Sequence, residues 1–322
     1  MTLGRVASRR VVLVGHAGDE HCDYLEERLR DRADRVDVAR LSLEDLPQAD
    51  FSWTPMDRLA FGNLRSGPPT SGLWRRPGTP DLSQFQAAYH GFVEAECRDA
   101  FIGGFAGEPV AWVTDPDVLR RAERKLYQLK TAAQIGIPIP ETVVTNSAPT
   151  AVAFARRYGE VVVKPVRYGL LGTEPDSLVA WTAEATAAEL ESLSGPPVIL
   201  QRRIAAKAHL RIVTVGEESF ISSLAAKELD WRSRLENHEL FEAVVLDAYP
   251  QVVSAGQALA RRLELGFSSQ DWIVPIEGQP VFLEANPNGQ WLFLEGPHGG
   301  AIGRAVVNLL LSLSKSNGAI LP

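Results

Sequence analysis

The chain has 322 residues, of which 45% are hydrophobic and 23% are charged, and its net charge is −7. This length suits two or three domains that share a cleft, and the composition is that of an ordinary folded soluble protein. The acidic balance argues against a nucleic-acid partner, because nucleic-acid-binding surfaces are normally basic. No apolar run approaches the length of a membrane span, and no hydrophobic segment follows the charged start. We therefore expect a cytoplasmic protein without membrane contact.

The chain begins with the pattern of an α/β unit. A β-branched run at 10–14 leads into a glycine turn at 15–18, a charged helix over about 21–32 and an alternating strand at 35–41. The turn lacks GxGxxG and a Walker lysine, which favours a tight turn over a phosphate loop. In Leu73-Trp74-Arg75-Arg76-Pro77, Arg75 and Arg76 could clamp an anionic group, but arginines beside a Trp are also an ordinary solvated edge. Spacing alone does not favour the anion-binding interpretation over the solvated edge.

Further helices and strands follow in the middle of the chain. A helical pattern at 82–101 and a strand at 109–113 close the first domain. Asp115-Pro116 then predicts a helix start, and Gly136 ends the helix after about Ile135. Lys125 falls midway along this helix, where a lysine is usually on a solvated face.

The next segment carries a lysine in a less ordinary place. Lys164 ends a run of three valines in Val161–Pro165, so its ammonium group lies at the mouth of a buried strand, a position that suits a nucleotide phosphate. Gly169 and Gly172 could fold over phosphates, although glycine loops between strands are commonplace. Gly195-Pro196-Pro197 forms a stiff linker that marks the next boundary.

The last third contains a strand at 209–215, a helix at 249–265, a hairpin and a closing helix at 298–314. Arg211 alternates with apolar neighbours on the first strand and so faces solvent or a site. If the hairpin turns at Glu277-Gly278, Val274 lies opposite Val281, Trp272 opposite Leu283 and Asp271 opposite Glu284.

Asn286 then points from the same face as Glu284, because strand side chains alternate. Two carboxylates directly across a ladder repel each other unless a cation lies between them, and oxygen ligands of this kind suit Mg²⁺ that also binds phosphates. Asp271, Glu284 and Asn286 are therefore a candidate magnesium site. A solvated hairpin end is the competing interpretation.

Taken together and in order, several motifs resemble the signatures of the ATP-grasp superfamily. They are Lys125 ahead of GIPIPET, VVVKP with Lys164, VILQRRI, LRIVTVG, and Asp271 with LEANPNG. Within that superfamily, WRRP near residue 74, Asp230-Trp231-Arg232 and NPNGQWLFLE resemble the microviridin-type graspetide synthetases. The resemblance implies an α/β and α+β protein with a Rossmann-like domain at 1–114 and ATP held between two α+β lobes at 115–197 and 198–322.

The resemblance also implies residue roles. Lys125, Lys164, Gly169 and Gly172 would contact ATP phosphates, and the backbone of Gln201, Arg202, Arg203 and Ile204 would hold the adenine, with His209 nearby. Arg211 and Arg232 would be catalytic, Asp271, Glu284 and Asn286 would bind Mg²⁺, and Arg75, Arg76, Asp230 and Asn288 would contact substrate. Two positions depart from the pattern: Arg202 stands where the hinge usually has Glu, and His209 where an Asp usually stands.

The implied activity is maturation of a ribosomal precursor peptide, recognised through a leader and modified in its core, by a homodimeric enzyme. ATP would phosphorylate an Asp or Glu side chain, which a Thr or Ser hydroxyl or a Lys amine then attacks, giving an ester or an amide. Two alternatives remain: an ATP-grasp ligase for amino acids or dipeptides, and a nucleotide-binding regulator without catalysis, for which Arg202 is the only hint.

Overall fold

The computed structural model describes residues 9–31, 36–56, 59–62, 64, 70–167, 170–171, 178–179, 181–225 and 228–316. The chain divides into two compact units, one formed by Met1–Leu119 with Ala301–Pro322 and the other by Arg120–Gly300. The division into three domains at 114 and 197 stays a prediction. The sequence assigned the closing helix to the last lobe, whereas the compact units group it with the N-terminal residues. No helix in the described ranges is long and apolar enough to cross a membrane.

The first unit is built on a parallel sheet. Its elements in chain order are β1 (Arg9–Val14), α1 (Glu20–Arg30), β2 (Val36–Leu41), β3 (Phe51–Ser52), β4 (Ala60–Phe61), β5 (Thr70–Trp74), a 3₁₀ turn (Ala87–Tyr89), α2 (His90–Ala106), β6 (Val110–Trp112) and α3 (Pro116–Ala122), within which the unit boundary falls. The sheet order is β2-β1-β5-β6 with all strands parallel. Residues 11–14 of β1 are buried because this interior strand is covered on both faces, which explains its unbroken apolar run. The predicted α/β start is confirmed.

The second unit begins with a small antiparallel sheet. Its first elements are α4 (Lys125–Gln134), β7 (Thr142–Thr145), α5 (Ala148–Tyr158), β8 (Val161–Pro165), β9 (Leu170–Leu171), β10 (Leu178–Val179), β11 (Ala183–Ala185), α6 (Ala187–Leu190) and β12 (Val198–Arg202). The main sheet has the order β11-β8-β12-β7, and β9 pairs with β10. Ala151, Ala155 and Leu190 of the two helices pack with Val161 and Leu200 of the sheet to form the core of this lobe.

A five-stranded antiparallel sheet completes the second unit. It is formed by β13 (Ala206–Val215), β14 (Glu218–Ala225), β15 (Glu242–Val244), β16 (Phe267–Pro275) and β17 (Val281–Asn286), with α7 (Pro250–Arg262) packed on it and 3₁₀ turns at Trp231–Ser233, Leu235–Leu240, Leu246–Ala248 and Leu292–Leu294. The order is β15-β14-β13-β16-β17. Helix α8 (Ala301–Ser316) packs against β1, β5 and β6 of the first unit.

Two sequence predictions need correction. The single helix over 115–135 is two helices, so Lys125 is the first residue of α4 and not a mid-helix residue. The break is held by the buried side chain of Gln128, whose amide nitrogen donates to the carbonyls of Ala122 and Ala285 at 2.6 Å each. Its amide oxygen accepts from the Ala285 N–H at 2.9 Å. The helix expected at 82–101 begins later, at His90, after the 3₁₀ turn.

Candidate functional site

The second unit contains a cleft of about 140 Å³ between its two sheets. Its lining comes from β8, β12, β13, β16 and β17 and includes Lys164, Gln201, Arg202, Ile204, His209 and Leu283. A deeper cavity of about 30 Å³ adjoins it and is lined by Lys164, His209, Asp230, Arg232, Asp271 and Glu284. The predicted site residues of the two lobes therefore converge on one continuous space.

The strand β12 and the residues after it form one wall of the cleft. Gln201 is buried and donates from its amide nitrogen to the Thr142 hydroxyl at 3.1 Å. Its amide oxygen has no hydrogen-bond partner among the described residues, and so is available to a donor in the cleft. Arg202 donates to Glu141 at 2.6 Å and Arg203 donates to Glu160 at 2.8 Å. These two guanidinium groups thus pair with surface carboxylates, and the backbone N–H groups of the same residues donate to the carbonyls of Glu141 and Glu160, respectively.

His209, the second departure from the family pattern, is buried between the cleft and the deeper cavity. Its Nε2 lies 3.1 Å from the backbone oxygen of Glu228, which fixes the ring. This contact makes Nε2 the donor and leaves Nδ1 as the acceptor.

Three charged residues lie directly opposite one another on three neighbouring strands of the five-stranded sheet. Arg211 on β13 lies opposite Asp271 on β16, and Asp271 lies opposite Glu284 on β17. The predicted Asp271–Glu284 pairing is confirmed, but the register nearer the turn is wrong. The loop is wider than a two-residue turn, so that Ile273 pairs with Val281, and a bulge between Asp271 and Trp272 then restores the expected register.

Arg211 and Asp271 form a buried ion pair, with Nη1 2.7 Å from Oδ1. The other terminal nitrogen of Arg211 donates to the carbonyl of Gln290 at 3.1 Å, and the guanidinium lies over the Trp231 ring, 5.6 Å from its centroid. Its Nε has no partner in the part of the chain that the structure describes. One donor of this buried cation is therefore unused.

Glu284 is surrounded by positive charge. Its two carboxylate oxygens lie 2.6 Å from Arg232 Nη1 and 3.3 Å from Lys125 Nζ. Burial alone would raise the pKa of Glu284, but the charges of Arg232, Lys125 and Lys164 outweigh it and lower that pKa to about 2. Burial lowers the pKa of Lys164 to about 8, against the opposing charge of Glu284. Glu284 is thus ionised at neutral pH, in a setting rich in cations.

Asp230 holds Arg232 in a two-point contact, with Nε 2.9 Å from Oδ1 and Nη2 2.8 Å from Oδ2. The backbone N–H of Arg232 and the hydroxyl of Thr182 donate to the same carboxylate, each at 3.1 Å. Burial would raise the pKa of Asp230, but the hydrogen bond and charge of Arg232 lower it to about 2. Thr182 had no signal in the sequence, because it lies alone in a segment without a motif.

The predicted magnesium ligands fit a hard divalent cation. Asp271, Glu284 and Asn286 offer oxygen donors, and the described residues contain no group of three or more His, Cys, Asp or Glu side chains that could hold a metal alone. Two carboxylates and an amide are what Mg²⁺ uses when phosphate oxygens and water complete its shell. A Cβ on Gly289 would lie 3.0 Å from Arg211 Nη2 and 3.1 Å from the Asn286 Cβ, so only glycine lets this loop pack against the site. Asn288 in the same loop is buried.

The remaining predicted residues lie elsewhere. Gly169 and Gly172 are outside the described residues. Arg75 is buried in the first unit, where its Nε lies 2.9 Å from Asp19 Oδ2. Asp19 in turn caps α1 by accepting from the N–H groups of His21 and Cys22. The substrate role expected of Arg75 is therefore corrected to a structural one, while for Arg76 it stays a prediction.

The glycine turn at 15–18 is closed by the protein itself. The carboxylate of Glu44 accepts from the Ala17 N–H at 2.7 Å and from the Ser42 hydroxyl at 3.1 Å. An internal anion thus takes the position that a phosphate would need, which supports the reading as a tight turn.

No protein-family model matches the chain, and no curated protein sequence matches it. Solved structures do match. One is a Chryseobacterium gregarium RiPP-associated ATP-grasp ligase in complex with ADP and a leader and core peptide, at a TM-score of 0.84 and 20% identity over 95% of this chain and 97% of that one. Another is the macrocyclase MdnC of Microcystis aeruginosa MRC bound with precursor peptide MdnA, at 0.80 and 20% identity over 94% and 99%.

A third is the ATP-grasp ligase PsnB with a phosphomimetic variant of its minimal precursor, Mg and ADP, at a TM-score of 0.74 and 19% identity over 94% and 98%. Each likeness extends over nearly the whole of both chains. The chain has the ATP-grasp fold, as the ordered motifs predicted.

Proposed function

We propose that this protein is an ATP- and Mg²⁺-dependent ligase that macrocyclises a ribosomal precursor peptide. It phosphorylates an Asp or Glu side chain of the peptide and joins it to a Thr or Ser hydroxyl as an ester, or to a Lys amine as an amide. The observation that carries the proposal is the row Arg211–Asp271–Glu284, which places two facing carboxylates beside Lys125 and Lys164 where the cleft meets the deeper cavity. Two neighbouring carboxylates with lysines beside them would suit a magnesium ion together with the phosphates of a nucleotide.

The first step needs charge to be offset on both reactants. A side-chain carboxylate oxygen forms a bond to the γ-phosphorus, and ADP leaves. Lys125 and Lys164 supply donors for the phosphates, and Arg211, with its unused Nε, stabilises charge that develops on the transferred group. A magnesium ion on Asp271, Glu284 and Asn286 would supply further positive charge to the phosphates.

The second step depends mainly on the positions of the two reacting groups of the peptide. The hydroxyl or amine attacks the carbonyl carbon of the acyl phosphate, phosphate leaves, and the proton of the nucleophile passes to solvent, so that each ring removes one water overall. Holding both groups of one peptide in the same cavity can contribute about 7–11 kcal/mol to lowering the barrier. A nucleophilic side chain of the enzyme is not required.

A peptide partner is supported by the similar structures, three of which hold precursor peptides. A homodimer and a cytoplasmic location are further parts of the proposal. Light scattering of the purified protein tests the first, since a mass of one chain in solution would remove it. Fractionation of the producing cell tests the second.

Two other functions fit the observations less well. A ligase of free amino acids would use the same nucleotide site, but it has no use for the Asp230-Trp231-Arg232 segment that lines the deeper cavity. A regulator without catalysis would need a damaged site, whereas Arg202, its only hint, pairs with Glu141 and the charged residues of the deeper cavity are in place. The observations favour the peptide ligase.

The test is to incubate the purified enzyme with ATP, Mg²⁺ and the precursor peptide encoded beside its gene. We expect ADP and phosphate, and a peptide lighter by one water per ring, measured by mass spectrometry. AMP as the product, or an untouched peptide together with ligation of free amino acids, would overturn the proposal and favour the small-molecule ligase.

A further inference from the structure

A serine and a histidine lie beyond Arg211, on the side of the sheet away from the proposed metal ligands. Ser222 on β14 lies directly opposite Arg211 on β13, so the two side chains project from the same face of the sheet, about 5 Å apart. The hydroxyl oxygen of Ser222 lies 2.9 Å from Nε2 of His298. The His298 ring therefore adjoins the arginine that is proposed to act in phosphoryl transfer.

The backbone around His298 holds the ring in one place. Its N–H donates to the carbonyl of Leu294 at 3.1 Å. The next two residues, Gly299 and Gly300, have φ angles of +57° and +74°, a region that favours glycine, so the chain turns directly after the histidine. The ring also packs edge-on against Phe220, with 5.7 Å between the ring centroids. His298 thus has a defined position over β14.

The two ring nitrogens of His298 differ in their surroundings. Fully buried Ser222 lies against Nε2, whereas Nδ1 of the half-buried ring has no hydrogen-bond partner among the described residues. Burial lowers the pKa of His298 from its ordinary value of 6.5, and the charge of Glu295 opposes this shift. The facing residues of β14, Ser222 and Phe220, are uncharged, and Arg211 beyond them is neutralised by its ion pair. The ring is therefore neutral at pH 7, with a nitrogen that can accept a proton.

The proposed second step releases a proton, and other titratable groups of the site are poor acceptors for it. Burial would raise the pKa of Asp230 and of Glu284, but their pairing with Arg232 outweighs it and lowers each pKa to about 2. A general base works best when its pKa lies near the working pH. His209 lines the nucleotide cleft, and its Nε2 is held by a backbone carbonyl.

We infer that His298 is the general base of the second step and that Ser222 is a positioning residue for its ring. Nε2–H donates to the Ser222 hydroxyl, and Nδ1 faces the incoming hydroxyl or amine of the peptide. As the nucleophile forms its bond to the carbonyl carbon, its proton moves to Nδ1 and phosphate leaves with the electron pair of the C–O bond. The imidazolium ion then releases the proton to solvent. The inference rests on the proposed function and adds a residue to its second step.

Nitrogen NMR of the free protein tests the ring without nucleotide or peptide. The signals of His298 are those that disappear in His298→Gln. At pH 7 we expect a neutral ring with its proton on Nε2, and a titration midpoint below 6.5. A proton on Nδ1 at pH 7 would overturn the inference, because that atom could not then accept another.

Single-turnover kinetics with the precursor peptide, ATP and Mg²⁺ separate the two chemical steps. In His298→Gln, ADP should form at the wild-type rate. Loss of water from the peptide, followed by mass spectrometry, should slow about a hundredfold, because a general base typically contributes roughly 10²–10⁴-fold. Ser222→Ala should cause a smaller loss in the same step. His90→Gln removes a half-buried histidine that is bonded to a backbone carbonyl in the first unit, and as the matched control it should change neither step.

The pH profile and rescue by imidazole distinguish a base from a residue that only supports the fold. The wild-type rate of ring formation should be constant around pH 7 and should fall as pH drops below 6.5 and His298 becomes protonated. His298→Gln should lack this fall. Added imidazole should restore part of the rate in His298→Ala, but not in Ser222→Ala, where the histidine ring still fills its place.

The outcomes separate failure of the inference from failure of the proposed function. If the wild-type protein forms no rings, the proposed function fails and the inference fails with it. If the wild type forms rings and His298→Gln forms them equally fast, or loses both steps to the same extent, the inference alone is overturned. If His298→Gln does not fold, the same comparison of the two steps in Ser222→Ala decides.

Discussion

Two buried arginine–aspartate pairs, one in each unit, are alike in geometry and different in use. Arg75 lies 2.9 Å from Asp19 and Arg211 lies 2.7 Å from Asp271, and in both pairs each side chain is less than a tenth exposed. Asp19, however, has both oxygens occupied by Arg75 and the start of α1. Asp271 lines a cavity beside a second carboxylate, and its arginine keeps an unused donor.

The difference teaches that an ion pair alone does not identify a site. A closed pair whose every donor and acceptor is used stabilises its unit, and removal of either partner leaves an uncompensated buried charge. An open pair with adjacent space and spare donors can receive a ligand. Loss of the closed pair should change stability alone, whereas changes in the open region should also change turnover or nucleotide affinity.

The largest effect is expected for Glu284→Gln, which removes a proposed metal ligand of the open region. ATP turnover, measured as ADP release, should fall by at least about a hundredfold, since a single preorganised electrostatic group is commonly worth that much. The variant must be assayed below its own thermal unfolding midpoint, which should fall, because glutamine keeps the shape of the side chain but loses the charge that pairs with Arg232 and Lys125. Turnover within tenfold of wild type would show that Glu284 holds no essential metal.

Arg211→Ala and Lys164→Met should separate turnover from affinity. In the proposed mechanism Arg211 faces charge that develops during transfer, so kcat should fall far more than nucleotide affinity. Lys164 is proposed to contact phosphates in the ground state, so its replacement should weaken nucleotide binding, measured by calorimetry with Mg·ADP. Small and equal effects from both would place these residues outside the reaction.

Asp19→Asn should break the closed pair and act on stability alone. Loss of one partner of a buried ion pair costs about 3–5 kcal/mol, measured as a lower urea midpoint, and KM for ATP should not change in the protein that remains folded. Asp37→Asn is the matched control, because Asp37 pairs with Arg10 at 2.6 Å but is 46% exposed. Its cost should be at most about 1 kcal/mol. Equal costs for the two variants would contradict the comparison.

The sequence predicted the open region well and the closed one poorly, for a physical reason. Asp271, Glu284 and Asn286 follow from strand alternation, a rule of local geometry. The register near the turn could not be predicted in the same way. The width of the loop and the bulge beside Asp271 offset each other, and strand alternation predicts neither of them. The final pairing was right although one step towards it was wrong.

Other features depend on contacts between distant segments. The break before Lys125 is set by Gln128 reaching β17, 157 residues away, and Thr182 meets Asp230 across 48 residues. Arg75 looked like a substrate ligand because its partner Asp19 lies 56 residues earlier and reads as a simple helix cap. Such contacts between distant residues can be identified only when the fold is known.

The smallest expected effect is a pH dependence of nucleotide affinity that is caused by Lys164. It should distinguish the open region from the closed pair. Its pKa of about 8 means that the ammonium group is largely charged at pH 7 and largely neutral above pH 9. A phosphate binds the charged form, so affinity for Mg·ADP should be constant below about pH 7 and should fall, by at most about tenfold per unit, as pH rises above 8. Lys164→Arg keeps its charge and should flatten this profile, whereas the exposed Lys130→Arg should not.

Stability should respond with the opposite sign. The folded pKa of Lys164 lies below the unfolded value of about 10.4, so the unfolded chain binds more protons between about pH 8 and 10.4 and stability rises with pH across that window. Asp19 has a lowered pKa, because its bonds to His21 and Arg75 outweigh the burial that would raise it. Its contribution is full above the unfolded value of about 3.9 and is lost only as pH falls below it. Between pH 7 and 9 the closed pair should therefore add no pH dependence to the stability. Asp19→Asn should leave the pH dependence of Mg·ADP affinity unchanged. If that dependence became flatter in the variant, the two regions would be coupled.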